Sequence, residues 1–529
     1  MNSGNQVVGY DMIAAIDQAT LNMQLSLLWP MLDDDHRIMK WEFKTEEPDI
    51  GLELSYSFEG SMNPPQVILG TSQAPNFQVK LCVNIDDGIL TYGSTKTKSV
   101  KISNWKYVFD VNLNFVAIKQ DRLKSHAAVP NVVKKMLESF TDDQFSIRHL
   151  LLNFEDANIA NYDGVHSELP LPKDTSPGII AFFQTGLTNY FKDLAKTDHP
   201  YILGYSVESR SPSSDPSISP TFTPTKGTYW IFHEPDQARE DLSALNFLMT
   251  TAGHSLPATT DPGFKANWIT SKEHDGRFVV AAGTFFDSFI LPKLLKALDH
   301  KAYAAISFGP TPDIGKSSNI KVSKWPNAVN WKKAEAPSTG HPHWKYSFND
   351  SESWITQDGD MIITYINVQH TLANDYSITI DLENKVASRA VIKLKGTFKT
   401  RHDLTAHPLG IEENMWTTTE LDWGASITLE GGTHGIVKLT PSIEIDNVKS
   451  DKGGNWIGMW DMPFNQDLLS GMAKDINDGF QNILNEFPNF LGNVNNRFVL
   501  PAGGVFALAN PQFDSYQNLL LNVTYKTQK

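Results

Sequence analysis

A period-two alternation of apolar and polar residues recurs along the chain and constrains its fold more than any other feature. The alternation is clearest over residues 52–58, and it returns at 41–43, 79–81 and 111–115. Successive side chains of a strand point to opposite faces, so the pattern predicts antiparallel sheet with one buried and one wet face. Further strands are predicted at 201–207, 277–281, 361–366, 377–382, 390–394, 426–429, 436–439, 497–508 and 519–525.

Apolar residues spaced three and four apart predict helices between these groups of strands. The first predicted helix covers residues 10–28, where Met12, Ile16, Met23 and Leu27 form one stripe. The last covers residues 464–487. Shorter helices are predicted at 130–149, 177–195, 241–251 and 285–298.

The order of these elements predicts the architecture. Helices gathered against antiparallel sheets place the chain in the α+β class. The order of helix, many strands, then helix and strand occurs twice, which predicts two halves, residues 1–270 and 271–529. Between the strands, residues 209–226 are rich in Ser and Pro and predict an exposed loop.

Composition excludes several classes of function. The 529 residues carry a net charge of −15, which argues against binding nucleic acid. No run of eighteen apolar residues is present, so we expect no membrane-spanning helix. The polar N-terminus lacks the basic region of a signal peptide, which predicts synthesis in the cytoplasm and, if the protein is released, a signal-less route.

Motifs of catalysis and metal binding are also missing from the sequence. There is no Gly-x-Ser-x-Gly, His-Glu-x-x-His, Cys-x-x-Cys or Gly-x-Gly-x-x-Gly. The segment 309–317 is close to a phosphate-binding loop, but its spacing is wrong and Pro310 and Pro312 lack the N–H groups that hold phosphate. We therefore expect a protein without catalytic residues, metal or cofactor.

Two glycines single out the last predicted helix. Gly471 and Gly479 fall on its apolar face, although each glycine in a helix interior costs about 1 kcal/mol. Close approach of a strand or helix explains them, and so does an acyl chain that lies along the helix. Methionines, which adapt to irregular shapes, occur beside them and on the first helix. The candidate residues of a lipid groove are Met12, Ile16, Met23, Leu27, Gly471, Met472, Ile476, Gly479 and Phe480.

Three segments carry a resemblance to a known family. They are Gly9 to Asn22 (GYDMIAAIDQATLN), Asp241 to Pro257 (DLSALNFLMTTAGHSLP), and Arg497 to Leu508 (RFVLPAGGVFAL), the last followed by 510–514 and 519–525. These segments resemble the clostridial forty-seven-kilodalton protein and OrfX family of botulinum-type neurotoxin gene clusters. Because they lie at both ends and in the middle, the resemblance extends along the chain.

The resemblance implies the tubular lipid-binding (TULIP) fold, in which a long helix is wrapped by a strongly curved antiparallel sheet. It also implies a non-enzymatic lipid-binding or toxin-accessory protein that acts with partner proteins from the same gene cluster. Two alternatives to this role remain open. In the first, the chain is a structural protein–protein interaction module whose helix faces are plain core. In the second, it is itself an insecticidal or pore-associated toxin component.

Overall fold

Antiparallel pairing links all the neighbouring strands that the structure describes. The structure is a computed structural model. It describes the chain except for residues 1–6, 48–51, 71–75, 95, 156, 174, 176–177, 211–221, 259–261, 265, 292–331, 334–342, 359–365, 387–388, 408–411, 432–436, 504, 527–529, and all of 455–496 but 474, 477–478, 481–482 and 485.

The strands form three sheets, one of the sheets strongly curled into a half-barrel. Their bounds in chain order are β1 Met12–Asp17, β2 Ile38–Glu47, β3 Leu52–Ile68, β4 Gln78–Gly93, β5 Thr97–Ile118, β6 Phe145–Asn153, β7 Ile202–Ser209, β8 Pro224–Phe232, β9 Ala244–Thr251, β10 Gly276–Val280, β11 Lys332–Lys333, β12 His343–Asp358, β13 Ile366–Val386, β14 Arg389–Ala406, β15 Glu413–Gly431, β16 Val437–Gly454, β17 Phe498–Val499, β18 Val505–Phe513 and β19 Leu519–Lys526. The described helices are few: α1 Gln18–Leu28, α2 Asp34–Arg37, α3 Gln120–Ser125, α4 Asn131–Leu137 and α5 Gly178–Leu194, with short 3₁₀ segments at Trp29–Met31 and Gln237–Leu242 and a π-helical segment at Gly283–Ile290.

The N-terminal sheet has the strand order β17-β7-β6-β5-β4-β3-β2, and the C-terminal sheet has the order β11-β12-β13-β14-β15-β16. A third sheet, the shared sheet, has the order β18-β19-β10-β1-β9-β8. It therefore combines strands from both sides of residue 270. The proposed division into halves at this residue stays a prediction.

Helix α5 packs its apolar face on the N-terminal sheet. Phe183 and Phe191 are buried there, and Phe183 lies edge-on to Phe58, with ring centroids 5.2 Å apart. Gly186 lets the helix approach closely, because a Cβ atom at this position would lie 2.3 Å from the ring of Trp41. The helix predicted at 177–195 is confirmed, and it fills this face of the sheet with the protein's own aromatic side chains.

The predicted first helix is wrong in its first half. Residues 12–17 form β1, and all six are buried because the strand lies between β9 and β10 in the shared sheet. A strand covered on both faces is apolar throughout and loses its period-two signal. The helix begins only at Gln18, after Asp17 caps it by accepting a hydrogen bond from the backbone N–H of Thr20 at 2.7 Å.

Two other predicted helices are also corrected. Residues 244–251 form the strand β9, all eight of them buried, for the same reason as β1. The helix predicted over 130–149 ends at Leu137, and a turn at Thr141 leads into β6. Most of the predicted loop at 209–226 lies outside the described residues, and β8 begins at Pro224.

The prediction of long helices wrapped by sheets is only partly met. The structure is mainly antiparallel sheet, but its longest described helix is α5, with 17 residues. Most of the predicted last helix, 464–487, lies outside the described residues. Lys474, Asp478 and Gln481, which are described, are helical and exposed.

Candidate functional site

The predicted groove residues occupy several different environments. Met12 and Ile16 lie on β1 and are completely buried in the main core. Met23 lies on α1 with 40% of its surface exposed, and Leu27 is partly buried against the same core. The other five, Gly471, Met472, Ile476, Gly479 and Phe480, lie outside the described residues. Their joint role in a lipid groove stays a prediction.

A cavity of about 420 Å³, which the sequence did not indicate, opens beside the N-terminal sheet. It lies where the end of β5 leads into α3, next to β6 and to the segment that joins α5 to β7. Ile118, Leu151 and Ile202 give it an apolar wall, and Lys119 and Arg122 bring positive charge. This volume falls within the range of about 300–1,000 Å³ that is usual for ligand pockets.

Three histidines line this cavity: His126, His149 and His199. His126 is 6% exposed and His199 is 7% exposed. The Nδ1 atom of each of the three has no hydrogen-bond partner among the residues that the structure describes. All three atoms are enclosed by protein and have almost no accessible surface, although buried polar atoms are usually paired.

Burial keeps these imidazoles neutral. It lowers the pKa of His199 to about 4 and that of His149 to about 4, and the nearby His126 adds to both effects. Burial also lowers the pKa of His126, although the carboxylate of Asp198 opposes the shift. A neutral imidazole has one N–H donor and one acceptor nitrogen.

Asp198 organises the mouth of the cavity. Its carboxylate accepts hydrogen bonds from Arg122 Nη2 at 2.5 Å and from the backbone N–H of Ala127 at 3.3 Å. The Nε2 atom of His126 lies 3.7 Å from the same carboxylate. These contacts fix the segment after α3 against the segment after α5.

The described part of the chain contains no group of three or more His, Cys, Asp or Glu side chains placed to hold a metal ion. The three imidazoles therefore share a cavity without forming a coordination site. Within the same described part, no helix has both the length and the apolar character needed to cross a bilayer.

The histidine cavity was missed because its parts are distant in sequence. His149 alternates with Ile147 and Leu151 along β6, a period-two signal that the mistaken helix over 130–149 concealed. The contact of Arg122 with Asp198 joins residues 76 positions apart and leaves no local pattern.

Comparison with known proteins gives structural neighbours only. No protein-family model matches the chain, and no curated protein matches it in sequence. Solved structures similar to it include P47 from Clostridium botulinum A2, with 12% identity, a TM-score of 0.45 and coverage of 98% of both chains. P47 of Clostridium botulinum E1 has 12% identity and a TM-score of 0.44, with coverage of 99% of this chain and 100% of that one.

A lipopolysaccharide binding protein is also similar, with 10% identity, a TM-score of 0.32 and coverage of 99% of this chain and 100% of that one. The solved structures similar to this chain thus include clostridial P47 proteins, from the family that the sequence segments resemble, and a lipopolysaccharide binding protein.

Proposed function

We propose that the protein is a non-enzymatic lipid-binding protein whose ligand lies against the apolar face of the C-terminal sheet. A row of aromatic rings across the C-terminal sheet carries this proposal. Phe348, Tyr376, Phe398 and Trp423 stand on four successive strands, with neighbouring ring centroids 5.7, 4.9 and 5.8 Å apart. All four side chains are buried on the same face.

The two faces of this sheet differ sharply in chemistry. The buried face continues with aliphatic residues such as Ile378, Leu394 and Ile427. The opposite face carries ion pairs between strands, such as Lys393 with Glu383 at 2.5 Å. A sheet with one apolar face needs an apolar partner along its whole length.

The length of the strands makes that requirement large. β12 to β16 have 16 to 21 residues each, against about five or six for an average strand. The described buried face spans up to nine residues of a strand, as at 421–429, which is about 30 Å at about 3.3 Å per residue. A face of this length suits an elongated ligand.

Trp423 adds a polar contact to this surface. Its indole ring lies across Gly396 on the neighbouring strand, where a Cβ atom would be 2.1 Å from the ring. The indole N–H is buried and has no hydrogen-bond partner among the described residues. It is a donor that an ester or carboxyl oxygen of a lipid can satisfy.

The energy of burial is sufficient for such a ligand. An acyl chain of about sixteen carbons gains on the order of 10 kcal/mol at about 0.8 kcal/mol per methylene. Loss of freedom on binding consumes a large part of this gain. The remainder supports affinity without a charged head-group site.

The absence of catalysis is part of the proposal, and the described His–carboxylate pairs support it. Asp163 contacts His166 Nδ1 at 2.7 Å and Lys80 Nζ at 2.8 Å. Burial alone would raise the pKa of Asp163, but the hydrogen bonds from Lys80 and His166 outweigh it and hold this pKa well below its usual value. A carboxylate fixed by a lysine in this way serves as a structural anchor rather than as a general base.

Extraction with organic solvent followed by mass spectrometry tests the proposal directly. The purified protein should release a lipid, and it should take up a fluorescent fatty acid. The variants Gly471→Leu and Gly479→Leu should reduce uptake, whereas the matched control Gly164→Leu, whose surroundings are open within 4 Å, should not. A folded parent that releases and binds nothing contradicts the proposal, and unchanged uptake by the Gly471 and Gly479 variants contradicts the position of the groove.

An interaction module without a ligand is the second candidate, and the N-terminal sheet favours it. There the face that could hold a ligand is filled by α5, with Gly186 pressed against Trp41.

Under either candidate we propose that the protein acts with partner proteins encoded beside it, as the resemblance implies. Sequencing the flanking DNA and copurification with its gene products test this role, and the activity of the purified chain on insect cells tests that of a toxin component.

A further inference from the structure

Strand β2 forms one edge of the N-terminal sheet, and among the described strands it pairs with β3 alone. Its ten residues include no proline that would interrupt further pairing. In the part of the chain that the structure describes, no hydrogen bond reaches its outer edge. A strand in this position presents a row of N–H and C=O groups on which another strand can pair.

The outward face of β2 carries charges that alternate in sign. Lys40, Glu42 and Lys44 are exposed and stand at every second position of the strand. Both lysines pair with glutamates on β3, at 2.8 and 2.7 Å, whereas Glu42 makes no ion pair with any described residue. The edge therefore presents one negative charge between two positive ones.

The inward face of β2 brings an aromatic row to the edge of the sheet. Phe43 is stacked on Tyr56 of β3 with ring centroids 4.9 Å apart, and Tyr56 lies 4.4 Å from Phe182 of α5. Tyr56 is buried, but Phe43 is buried only in part. The last ring of the row is thus half covered, and a further ring beyond the edge would continue the row.

We propose that β2 pairs antiparallel with β2 of a second copy of the chain, about a two-fold axis at Phe43. In this register Phe43 stands opposite its counterpart, and Glu42 of each copy stands opposite Lys44 of the other. Aromatic pairs and opposite charges stabilise a sheet when they face each other directly. Because the interface is two-fold symmetric, the charge contact is made twice.

The charges select this register over its neighbours, so they do more than protect an edge. An axis moved by one residue, to Glu42 or to Lys44, would place like charges opposite each other. An axis at Trp41 would pair Lys40 with Glu42, but fewer residues would pair and Lys44 would face Ile38. A slip of the strand by one residue would bring the charges of one copy beside the apolar face of the other.

Sedimentation velocity on the full chain, over a range of protein concentrations, tests the proposal. A monomer–dimer equilibrium is expected for the parent. Glu42→Lys and Lys44→Glu should each weaken it by about tenfold or more, because each change sets like charges opposite at two places. A chain that stays monomeric at every concentration overturns the proposal and leaves the edge to another occupant.

A mixture of the two variants assigns both the surface and the register. In a mixed dimer the two lysines of the Glu42→Lys chain face the two glutamates of the Lys44→Glu chain, so association should return to the parental strength. An axis at Trp41 would give no such recovery. Glu138→Lys, an equal change of charge at an exposed position after α4, is the matched control and should dimerise like the parent.

A mixture that associates no better than its components overturns the proposal. Should Lys44→Glu fail to fold beside Glu53, Glu42→Lys alone decides, and unchanged dimerisation of this variant has the same consequence. The dimer edge belongs to the N-terminal sheet and the proposed lipid face to the C-terminal sheet. Failure of the dimer and failure of the lipid proposal therefore give different results.

Discussion

Asp11 and Thr284, which are 273 positions apart, are joined by a hydrogen bond of 2.9 Å from the threonine hydroxyl to Oδ1 of the aspartate. The other carboxylate oxygen accepts hydrogen bonds from the backbone N–H of Thr251 at 2.6 Å and from its hydroxyl at 3.0 Å. His254 Nδ1 lies 3.0 Å from the same oxygen. One side chain thus ties together the start of β1, the end of β9 and the π-helical segment after β10.

Asp11→Ala should therefore destabilise the whole fold. We expect a loss of about 3 kcal/mol in the free energy of unfolding, because several buried donors lose their acceptor at once. Denaturant titration followed by tryptophan fluorescence measures it. Asp193→Ala, which removes an exposed ion pair with Lys196, should change stability by less than about 0.5 kcal/mol. Equal losses of unfolding free energy in the two variants would contradict the structural role of the Asp11 hydrogen bonds.

Gly186→Ala should lower stability although alanine favours helices. The gain in helix propensity is about 1 kcal/mol, but the added methyl group meets Trp41, whose ring is held beside Phe58 and Phe183 at 5.8 and 6.0 Å. Overpacking costs about 1–3 kcal/mol, so we expect a net loss of about 1 kcal/mol in thermal or denaturant unfolding. Gly164→Ala is the control and should be neutral or slightly stabilising. A stabilised Gly186→Ala variant would show that the helix can move away from the sheet.

Stability should fall as the pH drops from about 6.5 to 4. The folded state holds His149 and His199 neutral, with pKa values of about 4, below the usual value of 6.5. Above pH 6.5 both states are neutral at these sites and the full stability is present. Below it the unfolded chain takes up protons first, and His199 alone accounts for a loss of up to about 3 kcal/mol. In urea titrations at pH 7 and pH 5, the double variant with His149→Gln and His199→Gln should lose less stability than the parent. An equal loss would assign the acid sensitivity to other groups.

Arg148→Lys should also be destabilising, although lysine keeps the positive charge. The guanidinium donates to the carbonyl oxygens of Phe115 at 2.7 Å and Gly227 at 3.1 Å, and it lies 4.1 Å from the centroid of the Phe115 ring. The Nη1 atom of Arg148 lies 3.5 Å from Oε1 of Glu208. A lysine cannot reproduce this planar arrangement, so we expect a loss of about 2 kcal/mol in denaturant titration. Arg389→Lys, on the exposed face of the C-terminal sheet, should lose much less. The interpretation fails if the two variants behave alike.

Strands with one wet face could be predicted from their alternation, whereas strands buried on both faces gave a weaker signal: β7 was predicted, but β1 and β9 were not. Residues 52–58 alternate because one face of β3 meets the core and the other meets water. β1 has no wet face, so its apolar run coincides with the spacing of a helix from Met12 through Ile16 to Met23. The same confusion turned β9 into a helix. α5 was predictable because its stripe of Ile179, Phe183, Leu187 and Phe191 faces one sheet.

Much less of the candidate site than of the fold could be predicted from the sequence. No spacing in the sequence links His126, His149 and His199, because tertiary packing of α3, β6 and the segment after α5 brings them together. The aromatic row was also hidden: the strands of Tyr376, Phe398 and Trp423 were predicted in part, but β12, which carries Phe348, was not. Register decides that Tyr376 stands opposite both Phe348 and Phe398, and register depends on pairing that a single strand does not show.

The shared sheet has a consequence for synthesis on the ribosome. Six of the seven strands of the N-terminal sheet, β2 to β7, have emerged by residue 209 and can pair while translation continues. β10 pairs with β19, where Gly276 stands opposite Val523. Until those residues emerge, β10 has an open edge, and an open edge is a template for wrong pairing. The edge of β10 is therefore open to wrong pairing throughout the interval between the emergence of β10 and that of β19.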